Sequence, residues 1–135
     1  MNWAVMQNEI ICTFLFVSVI LMVKGEHTAG DKKGVFAAIC IAATLLGLIA
    51  GTNTIGACFN PAVSISLTID ALVRYWSTSV DTTYMTHYLY AYTLGPAIGA
   101  MLAGFFFIFH RKLHVPDEPI FDPKQHALVN TSDNV

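Results

Sequence analysis

Three long apolar stretches, separated by shorter polar segments, run along this chain of 135 residues. They cover residues 3–23, 34–50 and 87–109, and each is close to the roughly 20 residues that a helix needs to span a bilayer. Such a stretch can also be a core helix of a soluble protein. Three of them in so short a chain, with 55% hydrophobic and 12% charged residues, favour membrane insertion. We therefore predict an all-α integral membrane protein.

A polar tripeptide, Asn60-Pro61-Ala62, follows the second apolar stretch. Asn is a favoured N-cap, and Pro is favoured at the first helical position because its missing N–H would be unpaired there. The pattern predicts a short helix over about 60–68, although the alternation of Val63 to Ile69 would also suit a short strand. A helix that begins inside a bilayer must be buried in protein or line a water-filled path, since lipid satisfies no backbone groups.

Basic residues are distributed unevenly between the predicted membrane faces. Six of the seven fall on one face and Arg74 falls on the other. The six are Lys24, Lys32, Lys33, Arg111, Lys112 and Lys124. The positive-inside rule places the 24–33 loop and the C-terminus on the cytoplasmic face, or on the matrix face of the mitochondrial inner membrane.

Asn60-Pro61-Ala62 resembles the hallmark of the aquaporin, or major intrinsic protein, family. Glu9-Ile10-Ile11-Cys12-Thr13-Phe14 resembles the opening of that family's fourth helix, and Leu94-Gly95-Pro96-Ala97-Ile98-Gly99-Ala100 resembles the Gly-Pro segment of its sixth. Gly47 and Gly51 lie where its fifth helix would be. The order and spacing match from about Glu9 to Leu113.

This resemblance implies three transmembrane helices plus one re-entrant half-helix over residues 1–113, equivalent to the second inverted repeat of the aquaporin fold. We expect a half-aquaporin, because the family builds its pore from two such repeats. We expect the polar tail, 114–135, to be ordered on partners. The length of the 70–86 loop is similar to that of glycerol facilitators.

The resemblance also implies roles for individual residues. Asn60, Pro61 and Ala62 would form the pore motif, and Glu9 would accept hydrogen bonds from the backbone of the re-entrant loop. A carboxylate exposed to water at the interface is the alternative for Glu9. The constriction positions correspond to Leu48, Ala57 and Val63, all apolar, whereas conducting members carry an arginine after Asn-Pro-Ala. The pore is therefore expected to be degenerate.

Small residues recur at four-residue spacing in the third apolar stretch, at Ala91, Gly95, Gly99 and Ala103. Such a stripe lets another helix approach closely. Its partner would be the first or second span of the same chain, or another protein.

The sequence gives little support for an enzyme or a nucleic-acid-binding protein. No nucleophile–base set, metal-ligand spacing or phosphate-binding loop is present, so we expect neither an enzyme nor a cofactor. A net charge of -2 and the lack of a basic patch disfavour nucleic-acid binding.

The expected partners are the lipid bilayer and other membrane subunits. A parallel homodimer could not rebuild a pore whose halves are inverted. Two functions remain open. The first is a structural or accessory subunit of a larger membrane complex, such as a mitochondrial respiratory complex, with a non-conducting pore. The second is one half of a split water or glycerol channel, completed by a second aquaporin-like chain.

Overall fold

The fold is helical throughout the residues that the computed structural model describes, which are 3–25, 34–52, 56–76, 78 and 83–114. The helices in chain order are α1 (Trp3–Lys24), α2 (Val35–Gly51), α3 (Pro61–Tyr75), α4 (Thr83–His87) and α5 (Leu89–His114). No strand occurs within these ranges, so the all-α prediction is confirmed for the described residues. Residues 63–69 are helical rather than a strand.

The helices differ in how well they suit a membrane crossing. Helices α1 and α5, with 22 and 26 residues, are long and apolar enough to span a bilayer. Helix α2 has 17 residues, about 26 Å at 1.5 Å per residue, slightly less than the roughly 30 Å hydrocarbon core.

Two helix ends differ from the predicted ones. Helix α3 continues to Tyr75 instead of ending near Thr68. Helix α5 continues past residue 109 to His114, so the first residue of the predicted tail is helical. The rest of that tail, 115–135, and most of the predicted basic loop, 26–33, lie outside the described residues.

The small-residue stripe of α5 packs against α1 of the same chain. Ala91, Gly95, Gly99 and Ala103 are all buried. A Cβ added at Gly95 would lie 2.7 Å from the Cβ of Glu9, and one at Gly99 would lie 2.5 Å from the carbonyl oxygen of Ile10. The two backbones therefore approach each other as closely as glycine permits.

Helices α1 and α5 run parallel. Glu9 lies beside Gly95, Thr13 lies beside Gly99 and the ring of Phe14 meets that of Phe106, with centroids 5.8 Å apart. The contacts advance in the same direction along both helices. The C-terminal ends of α1 and α5, each with basic residues in its last turn, consequently share one end of the bundle.

The other helices lie at the periphery and expose apolar surface. Helix α2 packs on α1, and α3 packs on α5, but α2 and α3 do not contact each other within the described residues. On α2, five large side chains are more than half exposed: Val35, Phe36, Ile39, Leu46 and Ile49. An exposed apolar surface of this kind is typical of a chain that meets lipid or another membrane protein.

Candidate functional site

Asn60 caps the N-terminus of helix α3. Its backbone is extended (φ −150°, ψ 122°), its side-chain Oδ1 accepts a hydrogen bond from the N–H of Ala62 at 2.9 Å, and Pro61 occupies the first helical position. The side chain is exposed, and its amide nitrogen donates no hydrogen bond within the described residues. The free N–H groups of the amide therefore stand beside the positive end of the helix, where they can meet a ligand oxygen.

Glu9 holds the loop that precedes this cap. It lies on α1 and is fully buried, and its two carboxylate oxygens accept hydrogen bonds from the backbone N–H groups of Cys58 (2.8 Å) and Phe59 (3.0 Å). A buried carboxylate is costly unless such donors satisfy it, and hydrogen bonds to a charged acceptor are strong. This burial does not fit a carboxylate exposed to water at the interface.

Gly56 and Phe59, two further residues of the loop before Asn60, also help to fix its conformation. Gly56 has a φ of +74°, which glycine adopts without strain, and its carbonyl oxygen accepts a 3.4 Å hydrogen bond from Nδ2 of Asn8. Phe59 has a φ of +54°, which is rare for a bulky residue. Its ring is buried beside Phe16, with centroids 6.3 Å apart, so burial and the Glu9 hydrogen bond together offset the unfavourable backbone conformation.

Sequence reasoning missed Asn8 and Phe59. The polar run Gln7-Asn8-Glu9 in an apolar helix was a signal for Asn8, because polar groups in a membrane helix usually serve a purpose. Nothing marked Phe59, because a positive φ is expected of glycine.

The three constriction positions are apolar, but the structure does not bring all of them together by helix packing. Val63 lies on the first turn of α3 and is 43% exposed. Ala57, half-buried, lies in the loop next to Cys58. Leu48 lies on α2, half-buried, and its carbonyl oxygen accepts hydrogen bonds from the N–H and Oγ1 of Thr52. Within the described residues α2 has no packing contact with α3.

Removing the cap should destabilise α3. We expect Asn60→Ala to lower the free energy of unfolding by about 1 kcal/mol, because the N–H of Ala62 loses its acceptor. Asn60→Asp keeps an acceptor and adds a charge that suits the helix N-terminus, so it should retain stability. Thermal unfolding in detergent micelles measures both, and an equal loss in the two variants would contradict the capping role.

Comparisons with known proteins bear on the identity of this site. A family model described as "Major intrinsic protein" matches residues 1–107, which include Glu9, the loop that it holds, Asn60 and most of α5. Searches of curated proteins and of solved structures found no match. The family match covers more than half of the 135 residues. The chain therefore belongs to the major intrinsic protein family, which is the family of the aquaporins.

Proposed function

We propose that this chain forms one half of an aquaporin-like pore, with α3 as a re-entrant half-helix that presents Asn60 to the permeation path. The observation that carries the proposal is the pair of hydrogen bonds that Glu9 accepts from the backbone of Cys58 and Phe59. They fix the chain immediately before Asn60, while the side-chain amide of Asn60 stays exposed. Members of the family are channels rather than enzymes, which makes passage of a small neutral solute the natural function class.

The parallel arrangement of α1 and α5 supports a three-span topology. If both helices cross the membrane in the same direction, the chain between Lys24 and Leu89 must return across it. In this proposal, α2 makes the return crossing. Helix α3 has 15 residues and is only about 22 Å long, too short to cross the membrane. The segment that contains it then enters and leaves the membrane on the same side. Lys24, Arg111 and Lys112 lie at the same end of the bundle, which the positive-inside rule assigns to the cytoplasmic or matrix side.

Asn60 and the dipole of α3 would select the solute. The Asn60 amide can donate a hydrogen bond to a passing oxygen atom. The positive N-terminal end of the helix repels cations, including hydrated protons. This combination favours neutral solutes that carry a hydroxyl or carbonyl oxygen.

The apolar constriction residues argue for low water permeability. Val63, Ala57 and Leu48 offer no side-chain hydrogen bond to a water molecule stripped of its neighbours. Each lost hydrogen bond costs about 1–3 kcal/mol. A hydrophobic constriction can also close by dewetting. We propose a pore that is closed to water or that admits less polar solutes such as glycerol.

A complementary half is needed to enclose the path. The exposed apolar side chains of α3, including Val63, Leu67 and Val73, are suited to an apolar neighbour in the membrane. A parallel copy of this chain cannot supply an inverted repeat, so we propose a second aquaporin-like repeat as the partner.

A structural role in a larger membrane complex, such as a respiratory complex of the mitochondrial inner membrane, is a second proposal. The observation that favours it is that Leu48, Ala57 and Val63, the positions that correspond to the constriction, are all apolar. The N-cap alone does not decide between the two, because Asn60 stabilises α3 whether or not a solute passes.

The proposal that the apolar constriction excludes water can be tested by introducing a hydrogen-bond donor at position 63. We expect Val63→Arg to raise the osmotic water permeability of proteoliposomes carrying the native complex by about fivefold or more, the rate equivalent of recovering ~1 kcal/mol of hydrogen bonding. Val63→Leu is the matched control and should leave permeability unchanged. High water permeability in the wild-type protein, measured by stopped-flow light scattering, would contradict the closed constriction.

A further inference from the structure

One face of α5 carries two exposed phenylalanines that lead to a lysine in the last turn of the helix. Phe105 and Phe109 are 71% and 63% exposed, and Lys112 is exposed as well. Their spacings of four and three residues place the three side chains on the same face. We propose that this face binds an anionic phospholipid, with an acyl chain along the two rings and the phosphate at the ammonium group of Lys112.

The length of α5 allows Lys112 to reach the lipid headgroups. A helix of 26 residues is about 39 Å long, whereas the hydrocarbon core of a bilayer is about 30 Å thick. Its basic last turn is the part that suits the polar headgroup layer. Lys112 lies about 4.5 Å beyond Phe109 along the helix axis. The ammonium group can therefore meet a phosphate while the two phenylalanine rings lie against the acyl chains.

The charges at this end of the bundle suit a phosphate. Because α1 and α5 run parallel, Lys24 lies at the same end as Lys112. The described part of the chain has two acidic residues, and both lie elsewhere. Glu9 is about 22 Å from Lys24 along α1, and Asp70 is held in an ion pair at 2.8 Å on α3. Basic residues beside a membrane span attract anionic lipid headgroups.

The C-terminal end of a helix dipole repels an anion, so the lysine side chain has to provide the recognition. The effect of the dipole falls off within the last turn. A lysine side chain extends along apolar surface and keeps its ammonium group in water, which separates the charge from the helix end. A zwitterionic phospholipid carries its own cation beside the phosphate, so the site should prefer an anionic lipid. The inference requires α5 to span a membrane but does not require a conducting pore.

The test is a lipid titration of the full-length chain in non-ionic detergent, followed by native mass spectrometry. Dioleoyl phosphatidylglycerol is the anionic probe, and dioleoyl phosphatidylcholine has the same acyl chains without net charge. We expect saturable binding of phosphatidylglycerol, about fivefold or more tighter than that of phosphatidylcholine and weaker at higher ammonium acetate concentration. Lys112→Ala should weaken phosphatidylglycerol binding about fivefold, the effect of one basic residue near an anionic surface, whereas Lys112→Arg should retain it.

Matched variants control for charge and for apolar surface. Arg74→Ala removes a positive charge from α3 and should leave phosphatidylglycerol affinity unchanged. Replacing Phe105 and Phe109 together by alanine should weaken binding of both lipids, whereas Phe36→Ala, which removes an exposed ring from α2, should weaken neither. Equal affinity for the two lipids, or an equal loss in Arg74→Ala and Lys112→Ala, would overturn the proposal. Displacement of phosphatidylglycerol by equimolar inorganic phosphate would also overturn it, because the site would then recognise a free anion.

Discussion

Glu9→Ala is expected to release the loop that leads into α3. Two backbone donors, the N–H groups of Cys58 and Phe59, would lose their acceptor together. An unsatisfied buried donor such as the N–H of Phe59 costs roughly 1–3 kcal/mol, and the half-buried N–H of Cys58 costs less, so the free energy of unfolding should fall by about 2–4 kcal/mol. Phe59 would also lose the hydrogen bond that helps to hold its positive φ. Denaturant unfolding in detergent measures the loss of stability.

Thiol labelling of Cys58 gives a local measurement of the same event. Cys58 is half-buried, and its labelling rate should rise in Glu9→Ala when Cys12 and Cys40 have been replaced by alanine. Gln7→Ala is the matched control, because Gln7 is an exposed polar residue two positions away on the same helix. Unchanged stability and labelling in Glu9→Ala would show that the loop does not depend on this carboxylate.

Gly99→Leu is expected to separate α1 from α5. A Cβ at this position would lie 2.5 Å from the carbonyl oxygen of Ile10 and 3.0 Å from the backbone nitrogen of Phe14. Backbone atoms of a packed helix cannot rotate away as a flexible side chain can, so the helices themselves must move apart. We expect a loss of about 3 kcal/mol or more in the free energy of unfolding, at the upper end of typical overpacking costs.

The matched control for this substitution lies on the same helix. A Cβ at Gly104 meets nothing within 4 Å, so Gly104→Leu should be neutral or slightly stabilising, since Leu favours the helix more than Gly does. Equal destabilisation by Gly99→Leu and Gly104→Leu would mean that the close approach of α1 and α5 does not govern stability.

The spacing of small residues predicted a close helix contact but not the identity of its partner. Four-residue spacing defines one face of α5, whereas the choice of α1 depends on packing between segments about 86 residues apart, as for Gly99 and Thr13. The role of Glu9 came from the family resemblance, because no local pattern relates a carboxylate on α1 to backbone donors 49 and 50 residues later.

The beginning of α3 could be predicted from local sequence, but its end could not. Asn60-Pro61 marked its beginning because capping depends on adjacent residues. Its end was placed too early, near Thr68. The helix continues to Tyr75, where Arg74 and Asp70 form an exposed i,i+4 ion pair at 2.8 Å. The positive φ of Phe59 could not be predicted from sequence, because it depends on contacts of this loop residue with Phe16 and Glu9 on α1.

The central claim, that this chain supplies half of an aquaporin-like pore, is tested most directly by the composition of its native complex. The complex would be extracted in mild detergent, sized on a native gel and identified by mass spectrometry with cross-linking. Our account predicts an aquaporin-like first repeat, on a separate chain or on the same polypeptide, cross-linked to residues of α2 and α3. A complex without any such repeat, in which α2 and α3 contact unrelated subunits, would contradict the proposal that the chain forms half of a pore. It would support the structural role in a larger membrane complex instead.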